Sequence, residues 1–347
     1  MSKLATIGFG LVATVCAGLA VAGPEDFPRT VSGKPDFSGS YDIATLTPYT
    51  RDPKHGENPY LDPADAAARE EGQAKWAEAD RAPKDPDRGP PPKGADVGAY
   101  EFYWLDPGTT MFKIDGRYRN SIIVDPPNGR IPGLSEAGKA RRATLKQRGW
   151  FKNDGTAWWL ATGEQPYDNM ETQPLVDRCL YLDYVTVPVR PIVYNNLKTI
   201  VQTEDHVMIL IEWMHWARVI RLNSEHLPED MRSLSGDSIG WWEGDTLVVD
   251  TTNFLADPGV PREGMRVVER FSPLDANRLL YQFTVHDPDH VTPYTGEYPW
   301  PKTDTSLYEY ACHEGNYAMF NTLRGARHLE KVWIEEHGEP DGITRGE

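Results

Sequence analysis

Beyond Met111 the apolar residues come in short runs at every second position, with Gly, Pro, Asn and Asp between the runs. That period and punctuation predict half-buried strands joined by tight loops. FKIDGRYRNSIIVDPPNGRIPGL turns at Asp115-Gly116 and again at its Pro-Asn-Gly. TIVQTEDHVMILIEWMHWARVIRL reads as a strand, a turn at Glu204-Asp205, then one long strand. SIGWWEGDTLVVDTTNF turns at Glu243-Gly244-Asp245, where Gly244 supplies the unusual backbone angle, and MRVVERFSPLDANRLLYQFTVHD turns between Pro273 and Asn277. Successive hairpins with short loops predict a mainly β fold. The simplest form is an antiparallel up-and-down meander closing into a barrel or a strongly bent sheet, with a few peripheral helices.

The period changes in two places. Tyr60 to Ala82 has helical composition and a start signal in Asp62 before Pro63. LSEAGKARRATLKQRG predicts a second helix, with Ser135 as cap and basic residues crowding its end. PKDPDRGPPPKG, between them, can join neither a helix nor a central strand. GKPDFSGSYDI leads into a single strand. The organisation predicted is a leader over 1–22, an N-terminal arm with helix and proline-rich linker over 23–95, a barrel-like domain over 96–335 and a disordered tail over 336–347.

The leader reading rests on MSKLATIGFGLVATVCAGLAVA: one lysine, an apolar run, and small residues before Gly23. This is the layout of a cleavable secretory signal and predicts a periplasmic or secreted protein. No later run approaches the roughly 18 apolar residues of a spanning helix, so no membrane insertion is expected after cleavage. GFGLVA matches a dinucleotide-binding spacing only by accident, since no strand precedes it.

Cleavage leaves Cys179 and Cys312, and an even pair in an oxidising compartment predicts a disulfide. The rival reading, a nucleophilic thiol at Cys312 beside His313, suffers because strand neighbours point to opposite faces. Charge excludes other partners. The chain has 36 basic and 52 acidic residues, a balance that repels nucleic acid and anionic lipid surfaces. Eleven tryptophans and sixteen tyrosines suit either a ligand cavity or ordinary β-core packing.

Two stretches concentrate candidate chemistry. In IEWMHWAR, read as a strand, Glu212 and Trp216 share one face while Trp213 and His215 share the other. His215, flanked by two tryptophans, is the leading acid or base; Glu212 joins it only across a bulge or on a helix. In LYEYACHEGNY, read as extended, Glu309 and His313 share a face, with Tyr310 beside them and Cys312 as staple. The predicted catalytic set is therefore His215, His313, Glu309, Tyr310 and Glu212. The predicted substrate-binding set is Trp213, Trp216, Trp241, Trp242, Tyr281 and Asn253. Asp250, Glu269, Arg270 and His286 are lesser candidates for a barrel lining. No nucleotide, zinc-protease, redox Cys-x-x-Cys or nucleophile-elbow motif occurs, so no cofactor and no metal are predicted; His206, His215 and His313 are the trio to inspect for one.

The series SIIVDPPNGRIP, IVQTEDHVMILIE, MHWARVI, WWEGDTLVVDTTNF, VVERFSPLDANRLLYQFTV and LYEYACHEGNY resembles a family of exported, mostly hypothetical bacterial proteins. The resemblance runs from about Ser121 to Arg327 and brings no catalytic residue or substrate with it. The residues themselves predict a cofactor-independent acid/base enzyme, a lyase, dehydratase or isomerase. It would act on a small hydrophobic, aromatic or terpenoid molecule in a barrel cavity. Two alternatives stand beside it: an exported carrier of hydrophobic ligands, and a glycan-acting hydrolase or binder. Facing decides among them. Convergence of His215, His313 and Glu309 in an enclosed aromatic cavity supports the enzyme, whereas exposure to solvent makes the carrier the better reading.

Overall fold

Among the described residues the alternating runs form twelve strands, and nine of these close into a barrel. The structure, a computed structural model, describes residues 24–83, 86–87, 89, 105–144, 155–255 and 264–340. The predicted leader and most of the proline-rich linker lie outside the described residues. The strands are β1 (Gly39–Asp42), β2 (Lys113–Ile114), β3 (Arg117–Tyr118), β4 (Ile123–Asp125), β5 (Leu197–Gln202) and β6 (His206–Ile211). They continue with β7 (Trp216–Leu222), β8 (Asp237–Glu243), β9 (Thr246–Thr252), β10 (Arg266–Asp275), β11 (Arg278–His286) and β12 (Tyr294–Thr303). The helices are α1 (Pro63–Arg81), α2 (Glu136–Thr144), α3 (Trp158–Thr162), α4 (Cys312–Gly315) and α5 (Tyr317–His337). The ring runs β1-β5-β6-β7-β8-β9-β10-β11-β12 and returns to β1; β4 adds to β12, and β2–β3 form a separate hairpin.

Local chemistry placed many ends correctly. The β2–β3 turn has positive φ at Asp115 and Gly116, as a tight hairpin requires. Asp62 caps α1 by accepting from Ala64 N at 2.8 Å, and Ser135 accepts from Gly138 N at 3.0 Å at the start of α2.

The meander, however, is not purely antiparallel. β7 and β8 pair in parallel, Ile220 opposite Ser238, because residues 223–236 carry the chain back before β8 begins. His226 anchors this crossover outside the barrel, with Nδ1 2.9 Å from Asp237 and Nε2 3.4 Å from Asp250. β1, counted from sequence with the N-terminal arm, is a barrel stave that pairs with both β12 and β5.

Two stretches predicted as extended are interrupted. The long strand through IEWMHWAR is a hairpin: Ile211 pairs with Trp216, and Glu212 to His215 form its loop. LYEYACHEGNY is not extended either; it is irregular up to Ala311, then enters α4 and α5, with Asn316 capping α5 through Met319 N at 3.3 Å. At these two places strand alternation therefore does not decide which side chains share a face.

Inside the barrel the second-position rule holds, and the inward residues fill the interior. Trp300 sits at the centre, its ring 5.1 Å from Tyr281, 5.5 Å from Phe271 and 6.1 Å from Tyr41. Each such large side chain contributes roughly 2–3 kcal/mol on burial. Gly296 is required here, because a Cβ would collide with the Phe283 ring. One polar network crosses this core. Arg218 binds Glu269, Ser238 and Thr251, and Tyr281 donates to Glu269 at 2.7 Å. Burial pulls the Arg218 proton affinity down and Glu269 more than restores it, so the guanidinium stays charged.

Both ends of the barrel are occupied. Phe27 and Phe37 sit at one end, on a segment pinned by Arg29 to Asp245 at 2.6 and 2.9 Å. At the other, Val185, Val187 and Val189 are buried, and Val189 bonds through both N and O to Tyr281 and Tyr298, each at 2.9 Å. Cys179 and Cys312 are bridged, with Cα atoms 5.7 Å apart. Among the described residues no helix is long and apolar enough to cross a membrane.

Candidate functional site

The β6–β7 loop brings three of the sequence candidates together. Glu212 enters it helically, and Met214 and His215 follow in the left-handed region at φ 53° and 49°. Asn195 and Cys179, on segments that cover or border the same end, share that conformation at φ 57° and 58°. Outside Gly, Asn and Asp such angles cost about 1 kcal/mol or more and persist where the surroundings impose them. Trp213 is buried, with its ring 4.7 Å from Tyr194 and 5.0 Å from Tyr310. Tyr310 N donates to His215 Nε2 at 2.7 Å.

That last bond limits what His215 can do. An amide N–H only donates, so Nε2 is unprotonated and a neutral ring carries its proton on Nδ1. The lone pair a general base would use is already engaged. His215, His313 and Glu309 are all exposed. His215 and Trp213 both meet Tyr310, and they do so in a surface-facing corner rather than an enclosed chamber.

Glu212 points elsewhere. It is buried, accepts from Leu197 N at 3.2 Å, and faces a lysine that the sequence candidates omitted. Lys198 is 1% exposed, and its Nζ donates to the carbonyls of Asn195 at 3.1 Å and Leu197 at 3.2 Å. Burial pulls its proton affinity down to about 7, against the opposing pull of Glu212, Asp42 and Asp106. Asp106 is raised by burial, then by Asp42 and Glu212. The signal was present in LKTIVQ, where Lys198, Ile200 and Gln202 share the inward face.

The remaining candidates have structural partners. Trp216 packs on Tyr181 at 4.8 Å, and Trp242 on Phe37 at 5.5 Å. Trp241 donates to Glu243 at 3.1 Å, and Arg270 binds the same Glu243 at 2.7 Å. Tyr281 is fully buried, with its hydroxyl pushed well above the usual tyrosine range by burial and then by Glu269. Asn253 takes φ 53° and donates to Leu227 O at 2.9 Å, bracing the crossover. His206 and His286 are exposed, and among the described residues no three His, Cys, Asp or Glu could hold a metal ion together.

A pocket of about 330 Å³ lies elsewhere, between α3 and α5. Trp158, Trp159 and Tyr167 form one wall; Asn321, Thr322, Gly325, Ala326, His328 and Leu329 form the other. The spacing of the second set places it on one side of the helix. Trp159 Nε1 donates to Glu330 at 2.9 Å, Arg327 binds Glu330 at 2.6 Å, and the Trp159 ring lies 4.8 Å from Tyr167. The start of α5 is fixed in turn: Asn316 donates to Asp177 O at 2.7 Å, beside the Cys179–Cys312 bridge. Sequence reading missed this site because it took the region before α5 as strand; the spacing of Met319, Leu323, Ala326, Trp333 and Ile334 is the helical signal it left unused.

Comparison with protein-family models, with curated proteins and with solved structures gives no match to this chain.

Proposed function

We propose that the protein is an exported binder of small hydrophobic ring molecules, and that it holds them in the pocket between α3 and α5. The barrel then serves as the rigid body on which the pocket is mounted. The observation that carries this reading is Gly325. A glycine inside a 21-residue helix costs up to about 1 kcal/mol relative to alanine. No internal packing demands it, since a Cβ at that position would meet nothing within 4 Å. It stands opposite an aromatic wall in a pocket of about 330 Å³, the small end of the range for ligand sites. Leaving that space open for a guest gives the glycine a purpose. The leader-like N-terminus and the disulfide support a periplasmic or secreted location, which mass spectrometry of the mature N-terminus checks. Titrating tryptophan fluorescence with small aromatic compounds tests the binding: Gly325→Leu is expected to abolish the response, and an unchanged response would refute this reading.

A second reading, the acid/base enzyme, has its own observation. Lys198, neutral or charged near pH 7, sits beneath the strained β6–β7 loop with Glu212, Asp42 and Asp106 around it. Perturbed groups and strained backbone gather at working sites more often than elsewhere. Under this reading Lys198→Met and Glu212→Gln lose turnover of an aromatic or terpenoid substrate while keeping most of its binding. Turnover at the wild-type level in both variants would remove it.

A further inference from the structure

Resting on the binding reading, we propose that the ligand is a neutral ring bearing one hydroxyl or carbonyl, with its oxygen directed to Asn321 and His328. None of the pocket's lining side chains carries a permanent charge. The nearby Arg327 and Glu330 are bound to each other at 2.6 Å. An anionic or cationic guest would give up the part of its hydration that faces the tryptophan wall without gaining a counter-charge, a cost that selects against ions.

The two walls differ in kind. Trp158, Trp159 and Tyr167 offer ring faces and edges, suited to a flat apolar body. The α5 wall offers Asn321, Thr322 and His328, exposed residues whose side chains make no hydrogen bond within the protein among the described residues. Gly325 lies one helical turn from both Asn321 and His328, so the guest can approach the helix backbone between two polar side chains. A pocket of about 330 Å³ holds one or two fused rings and little more. A guest with several hydroxyls, such as a sugar, would find side-chain partners for few of them on the α5 wall.

The test is calorimetry and tryptophan fluorescence on the mature, disulfide-bonded protein with four probes: p-cresol, toluene, benzoate and glucose. p-Cresol is expected to bind, and toluene to bind roughly three- to tenfold more weakly, as one neutral hydrogen bond is worth. His328→Ala and Asn321→Ala should each lower p-cresol affinity by about that factor and leave toluene unchanged. Gly325→Leu should remove both, with Gly325→Ala as the milder variant if the larger one alters the melting curve. Equal binding of toluene and p-cresol, with both polar variants silent, overturns the oxygen-directed end while the pocket stands. Benzoate or glucose binding more tightly than p-cresol overturns the neutral, singly oxygenated class. If no probe binds at all, the binding reading itself fails, and this inference with it.

Discussion

The main-chain amide of Tyr310 donates to Nε2 of His215 across 2.7 Å, tying the loop between two barrel strands to the segment that leads into the Cys312 bridge. The residue that looked most like a catalytic base thus spends its basic nitrogen on a backbone proton. Nitrogen-15 NMR should find the neutral His215 ring protonated at Nδ1. His215→Ala should cost about 1 kcal/mol of stability, the worth of one such bond. A ring protonated at Nε2 instead would contradict the geometry.

Stability should rise from neutral pH to a maximum between about pH 9 and 10 and then fall. In the folded state Lys198 releases its proton near 7, whereas in the unfolded chain it holds it to about 10.5. Between those values the unfolded state binds more protons, so alkali favours the fold. Above about pH 10 the sign reverses, because burial keeps Tyr49, Tyr281 and Tyr298 protonated while their unfolded counterparts ionise. Urea midpoints from pH 7 to 11 measure both limbs, and Lys198→Met should flatten only the first.

Glu269→Gln should destabilise by about 3–5 kcal/mol, since it leaves the Arg218 charge buried without its partner. Both side chains are nearly inaccessible, at 2% and 0% exposure, so water cannot replace the carboxylate. Denaturant unfolding reads the change directly. A loss under 1 kcal/mol would mean that Ser238, Thr251 and reorganised neighbours suffice for the guanidinium.

Cys179→Ser with Cys312→Ser should cost about 4–5 kcal/mol on the chain-entropy account, given a sequence separation of 133. It should also weaken binding in the α3–α5 pocket, because the base of α5 is held beside that bridge through Asn316. Thermal melts and p-cresol titration of the double variant, compared with the reduced wild type, separate the two effects.

Gly325→Ala should raise stability by about 0.5–1 kcal/mol, since the helix gains a better former and the new methyl meets open space. A loss of stability would show that the position is packed in solution.

Where the sequence carried its own punctuation, the fold could be read from it: Asp115-Gly116, Glu243-Gly244-Asp245 and the caps at Asp62 and Ser135 all stand where expected. Reading failed where apolar residues occupy a turn. Trp213 and Met214 have strand-like side chains in a loop whose left-handed angles nothing local demands, and their burial against Tyr194 and Tyr310 is a tertiary effect. The parallel β7–β8 pair was hidden for a similar reason: no residue in 223–236 says which way the chain returns. Of the site candidates, His215, Tyr310 and Trp213 lie together in space, whereas the α3–α5 pocket depends on a helix that the sequence reading left unassigned.

The stave β1 has an odd place in time. Tyr41 lies opposite Lys198 on one side and Lys302 on the other, so the earliest strand of the barrel fills the gap between two that come much later. A chain delivered N-terminus first can form its hairpins one by one, yet the ring stays open until residue 303 has arrived. Until then Phe37 and Tyr41 have no finished core to enter. Such closure is slow by nature, since its contacts span most of the sequence. It makes completion of the barrel an all-or-nothing report that the whole length from β1 to β12 has been received.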